Sequence, residues 1–194
     1  MKRSGWTVRA ESRIRHIPVH VYTMQSFLAG ILTTDRPRLT DAVNAAGRHL
    51  ELLDVVSAVY GSGASRHYGD AAFVLKKSVF FVCDRPAAGY RPEHAPIAPN
   101  HLRHHIALSC GPFFIEGRAH LPPGGNIESK IFDSAQTFIP LTGVTITSPD
   151  MPISSESTVL VNRERIDYVI VNVISVGDIL AHDPPSEKAR SAPP

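Results

Sequence analysis

Phe113-Phe114-Ile115-Glu116-Gly117-Arg118-Ala119-His120-Leu121 runs directly into Pro122-Pro123-Gly124-Gly125-Asn126-Ile127. Phe113, Ile115, Gly117, Ala119 and Leu121 alternate with Phe114, Glu116, Arg118 and His120. That two-residue period predicts a strand with one face on a core and a mixed polar face toward water. Gly117 falls mid-strand, where glycine weakens pairing unless a bend or a close backbone approach needs it. The Pro-Pro-Gly-Gly run predicts a tight turn, because proline fixes φ and glycine permits positive φ. A phosphate cradle needs exposed backbone N–H groups, and two prolines remove donors, so the run reads as a turn. A short helix then opens at Ile127, with Ile131 one turn further on the same side.

A weaker copy, Phe27-Leu28-Ala29-Gly30-Ile31-Leu32 and onward to Leu39, stands 87 to 88 positions earlier. Around it, Val19 and Val21 answer Ile106 and Leu108, and Phe27, Leu28 and Gly30 answer Phe114, Ile115 and Gly117. Leu39 and Val43 match Ile127 and Ile131, and Leu50, Leu53 and Val56 match Phe138, Leu141 and Val144. Val74-Leu75-Lys76-Lys77 matches Leu160-Val161-Asn162-Arg163, and Phe81-Val82 matches Tyr168-Val169. Shared order and spacing predict an internal duplication. The expected fold class is mainly β (α+β): two tandem curled antiparallel sheets or small barrels, each with one short helix, packed as a pseudo-twofold body. The boundaries read as a basic arm over 1–16, a first unit over 17–83, a Pro-rich linker over 84–104, a second unit over 105–182 and a polar tail over 183–194. Pro86, Pro92, Pro96 and Pro99 make the linker extended. Within the first unit, Thr40 is the expected cap of a helix ended by Gly47. His49 to Tyr60 reads as a bent strand or two strands. Ala72–Leu75 and Val79–Val82, joined by Lys76-Lys77-Ser78, read as a hairpin.

Ile115-Glu116-Gly117 through the Pro-Pro-Gly turn, Phe138-Ile139-Pro140-Leu141-Thr142 and Leu160-Val161-Asn162-Arg163 together resemble a small uncharacterised bacterial β-rich domain family. Its pattern runs I-E-G-x-x-H-L-P-P-G, then L-S-D-x-L-N, F-I-P-L-T-D and V-x-V-N-K. The second copy follows it well, except for Ile127-Glu128-Ser129-Lys130 at the helix start; there Leu39-Thr40-Asp41-Ala42-Val43-Asn44 of the first copy keeps the pattern better. The resemblance implies the fold unit and no activity.

A hydrophobic fraction of 43% and a charged fraction of 20% fit an ordinary globular chain, and net charge is +2. Residues 1–16 carry five Lys/Arg against one Glu, whereas 105–171 carry four against seven Asp/Glu. Cys83 and Cys110 form neither a disulfide framework nor a zinc set. His101, His104 and His105 have helical ligand spacing, but prolines precede them and a strand follows. Ser62, Ser65, His67 and Asp70 carry triad residue types in one loop, whereas a triad needs distant, rigidly held segments. Glu116 and His120 share a strand face. None of these sets earns a catalytic, cofactor or metal assignment. The outer face of the first copy, Phe27, Ala29 and Ile31, is apolar where the second copy is polar, which makes it the candidate interface. The expected function is a non-catalytic protein-interaction or assembly module, acting on a protein partner or as a homo-oligomer. The alternative is a nucleic-acid-binding small barrel using the basic arm. Sm-like barrels, however, place their helix before the first strand, and here it follows the second. Without an apolar run of about 18 residues no span is expected, and the cytoplasm is the default location.

Overall fold

The computed structural model describes residues 14–61, 66–85, 101–149 and 151–172. The first half holds β1 (Arg15–Thr23), β2 (Ser26–Thr34), α1 (Leu39–Asn44), β3 (His49–Val59), β4 (Arg66–Leu75) and β5 (Val79–Asp84). The second holds β6 (Leu102–Cys110), β7 (Phe113–Leu121), α2 (Ile127–Phe132), β8 (Phe138–Ser148), β9 (Met151–Asn162) and β10 (Tyr168–Val171). Short 3-10 turns over Lys76–Ser78 and Arg163–Arg165 precede β5 and β10. The protein is therefore mainly β, with two short helices among the described residues. The strand read at 113–121 is β7, and its odd residues are buried from Phe113 to Leu121. The basic arm lies outside the described residues over 1–13, but Arg15 and His16 already belong to β1. Likewise 86–100 of the linker lie outside, while β6 claims Leu102 to His104. Of the tail end, 173–194 also lie outside.

Two separate sheets were the expectation, and the structure has one. All ten strands form a single antiparallel sheet in the order β10-β6-β7-β8-β9-β5-β1-β2-β3-β4. The halves join where β5 pairs with β9. A twofold relation between the halves would also bring β4 against β10, and among the described residues those strands are not paired with each other. The expected hairpin over 72–82 is also corrected. β4 pairs with β3, whereas β5 pairs with β1 and β9, because the 3-10 turn carries the chain across the sheet.

Both halves curl in the same way. Pairing of β2 with β3 shifts register between Ala29 and Ile31, and pairing of β7 with β8 shifts between Glu116 and Arg118. The extra residue of each β-bulge lies on the partner strand, β3 or β8, opposite the mid-strand glycine, and bends the sheet there. A Cβ on Gly30 would meet the Leu53 carbonyl at 3.0 Å, and one on Gly117 would meet Val144 at 2.9 Å. The bulged strand takes a positive φ in each half, 50° at Asp54 and 57° at Gly143. His49 to Val59 is therefore one strand kinked at Asp54. Aligned on these landmarks, Leu50 falls with Ile139, Leu52 with Leu141 and Val55 with Val144, one residue away from the match expected from the sequence.

The helices plug the curled sheets through buried Val43 and Ile131. Asn126 caps α2, its Oδ1 accepting from Glu128 N–H at 2.8 Å. At α1 the cap is Arg38 with no side-chain bond, not Thr40. Acidic Asp41 in the first turn suits the helix dipole instead. One core cluster is built mainly from β6 to β9 and α2, the other mainly from β1 to β5 and α1. Each borrows side chains from the other half.

Candidate functional site

The joint between the halves is where that borrowing occurs. Phe81, Val82 and Cys83 of β5 lie opposite Val161, Leu160 and Val159 of β9. Because neighbouring residues on a strand point to opposite faces, Val82 stays in the first core while Phe81 and Cys83 enter the second. In return Leu160 and Phe138 enter the first core. Phe81 stacks on Tyr22 at 4.3 Å and meets Phe113 edge-on at 4.9 Å. Asn44, at the end of α1, brackets the Phe138 backbone, donating to its carbonyl at 2.9 Å and accepting from its N–H at 2.8 Å. Buried Asn162 donates to the carbonyls of Lys76 at 3.1 Å and Val79 at 2.9 Å.

A polar knot closes one end of this joint. Arg85 donates to Glu156 Oε1 at 2.6 Å and to His20 Nδ1 at 3.2 Å, and Ser154 adds a donor to the same carboxylate oxygen at 2.6 Å. Glu156 is buried and Arg85 half-buried. Burial first, then the Arg85 charge, lowers the His20 pKa from its ordinary value. Burial raises that of Tyr22. The knot satisfies its own charges and crosses the seam between the halves.

The candidate chemical residues do not converge. Glu116 pairs with His105 at 3.1 Å, whereas His120 bonds Thr142 at 2.6 Å. His101, His104 and His105 run up to and along β6, so His104 and His105 point to opposite faces. No cluster of three metal-ligating side chains occurs among the described residues. Ser62 and Ser65 lie outside the described residues, and His67 and Asp70 belong to β4. Cys83 and Cys110 are free, buried thiols; burial raises both, Cys110 to about 12. An open depression of about 350 Å³ between α1, β2 and β3 is lined by Leu32, Ala42, Leu50 and Lys76, and its ammonium is bonded to the Ala45 carbonyl at 2.6 Å.

What the surface does gather is apolar side chains on the two end strands. β4 exposes Tyr68, Phe73 and Leu75, and β10 exposes Tyr168, Ile170 and Val171. Among the described residues each of these strands is paired on one side only. An edge strand offers unpaired backbone groups, and natural edges are usually blunted by charge, proline or cover. Phe27, Ala29 and Ile31, read as the interface, are half-buried in β2. Phe27 packs against the core of the second half, 6.0 Å from Tyr22 and 5.7 Å from His20. Sequence reading missed Phe73, Tyr168 and Ile170, which look like any other strand hydrophobics. No helix among the described residues is long and apolar enough to cross a membrane. Set against protein-family models, curated proteins and solved structures, the chain matches none.

Proposed function

We propose that the chain is a non-catalytic assembly module made of two copies of one five-stranded unit, which binds protein through its sheet edges. The observation that carries this reading is the concentration of exposed aromatic and aliphatic side chains on β4 and β10. Edge strands of that kind are templates for adding another strand, with the backbone giving affinity and side chains giving selectivity. The duplication is supported by hydrogen bonds made at matching places. Arg85 N–H donates to Pro18 O at 2.9 Å and Asn172 N–H to His105 O at 3.0 Å. Lys76 N–H donates to Arg48 O, and Arg163 N–H to Thr137 O, both at 2.9 Å. The copies follow one another head to tail along the sheet. The nucleic-acid alternative rests on the basic arm over 1–16, of which 1–13 lie outside the described residues, and no observation on the described surface favours it.

The test compares a tagged wild-type chain with Phe73→Asp and Ile170→Asp variants during purification from its native cells. The wild type should retain an untagged protein through size-exclusion chromatography, and each variant should lose it while melting like the wild type. A partner indifferent to both substitutions, or no partner of any kind, ends the reading.

A further inference from the structure

We infer that the partner of the β4 edge is the β10 edge of a second copy of this chain, and that the two pair in the register of the internal joint. This rests on reading the protein as an assembly module of two equivalent units. The joint inside the chain is a heterologous contact: the fourth strand of one unit, β9, pairs with the fifth strand of the other, β5. Among the described residues the sheet therefore ends in the two halves of the same joint, a fourth strand (β4) and a fifth strand (β10) that are each paired on one side only.

The equivalence can be followed residue by residue. On the first-strand side, Tyr22 opposes Phe81 as Ser109 opposes Tyr168. These frames agree because Val19 opposes Gly30 as Ile106 opposes Gly117, the two bulge glycines. On the third-strand side, Leu50 opposes Val74 as Ile139 opposes Val161. Tyr168 and Ile170 thus stand where Phe81 and Cys83 stand, and Phe73 stands where Leu160 stands. Phe81, Cys83 and Leu160 are the side chains exchanged between cores at the joint, exposed by 0%, 0% and 1%. Their counterparts Phe73, Tyr168 and Ile170 are exposed by 67%, 50% and 47%. The large apolar groups that the joint buries are carried at the same positions on the free edges.

A flanking residue agrees. Asn44 ends α1 and bridges to Phe138 across the joint, and Phe132, which ends α2 at the matching place, is exposed. Transferring the internal register predicts Tyr168 opposite Val74, Val169 opposite Phe73 and Ile170 opposite Ala72 of the next copy. A head-to-tail contact repeated this way closes into a ring or runs on as a fibre, according to its rotation.

The test uses the full chain. Native mass spectrometry and light scattering should give a multimer of the 21.2 kDa chain, or fibres, and Phe73→Asp should return it to one chain mass. Ala72→Cys combined with Ile170→Cys should oxidise to a ladder of covalently linked chains, since opposed antiparallel residues lie within disulfide reach. Ala71→Cys with Ile170→Cys should give none, because a one-residue slip moves the thiol to the other face. A monomeric wild type, a multimer untouched by Phe73→Asp, or equal ladders from both cysteine pairs overturns the inference. A monomer that still loses another protein on Phe73→Asp overturns self-pairing alone and leaves the assembly reading standing. A monomer that binds nothing through either edge sinks both.

Discussion

The β5·β9 joint is filled, whereas the β4 and β10 edges are open among the described residues; on the reading proposed above they are one contact in two states. Where the joint is filled, neighbouring cores exchange Phe81 and Cys83 for Leu160 and Phe138, and every one of those side chains is buried. Where it is open, Phe73, Tyr168 and Ile170 face outward. On the proposed reading, the difference separates residues that hold the fold from residues that hold an assembly, although both sets are large, apolar and on strands. Deleting a ring at the two places should separate them most widely. Phe81→Ala removes a ring packed on Tyr22 and Phe113 and should cost about 3–5 kcal/mol in chemical unfolding. Phe73→Ala leaves the fold of the isolated chain within about 0.5 kcal/mol, as a surface change does, and acts on association. Equal shifts in urea midpoint for the two would show that the β4 edge is not open.

The sequence made one side of this comparison legible. Alternation in Phe113 to Leu121, the turn at Pro122 to Gly125 and the two bulge glycines all read correctly, because each is a local pattern with one physical cause. The joint left a signal that went unused. Val79-Phe80-Phe81-Val82-Cys83 and Val159-Leu160-Val161 are buried without a break, the mark of strands covered on both faces. Such runs have no period, so a hairpin for 72–82 fitted as well as the crossing that occurs. Register was the harder matter. Leu50, Leu52, Leu53, Val55 and Val56 straddle the kink at Asp54, and an apolar pair on each side of it lets the match with β8 slip by one residue. Only the positive φ shared with Gly143 fixes it. Phe27, Ala29 and Ile31, expected at an interface because their strand is apolar on both faces, are half-buried. Exposed apolar side chains gather on β4 and β10, where hydrophobicity alone cannot tell an edge from a core.

The polar knot sharpens the comparison by a smaller amount. Arg85 and Glu156 tie β5 to β9, whereas their counterparts on the open edges are Asn172 and Gly69, which carry no charge. Removing Arg85 strands a buried carboxylate with Ser154 as its remaining donor. Arg85→Ala should therefore destabilise the chain by about 2–4 kcal/mol, somewhat below the full cost of breaking a buried pair because the arginine side chain is 39% exposed. Glu156→Gln, which keeps a hydrogen-bond acceptor and removes the buried charge, should cost less. A double-mutant cycle with Arg85→Ala and Glu156→Ala should show coupling of about 0.5–3 kcal/mol. Additive losses would mean that the knot does not bind the halves together. The proposed contact between copies, lacking this pair, should respond less to salt than the internal joint does.

The smallest expected effect is a pH dependence seated at the same seam. His20 lies in the filled joint beside Arg85, and its counterpart in the second half, Ala107, cannot titrate. His20 is lowered from 6.5 by burial first and by the arginine second, with Glu156 opposing in part. His120, on β7, is lowered by burial first and then by nearby cationic groups, and its Nδ1 is buried with no partner. Above 6.5 both rings are neutral in the folded and the unfolded chain, so their contribution to stability is fully present. As pH falls through 6.5 the unfolded chain takes up protons that the folded chain refuses. Stability therefore declines, and levels off once the lower folded-state values are passed. Melting temperature measured from about pH 7.5 down to about pH 5.5 should fall, over the range where histidine charge changes. His20→Gln should flatten that slope in part and leave the share that belongs to His120. A slope unchanged by His20→Gln would place the pH response outside the joint, and a rise on acidification would contradict the burial of both rings.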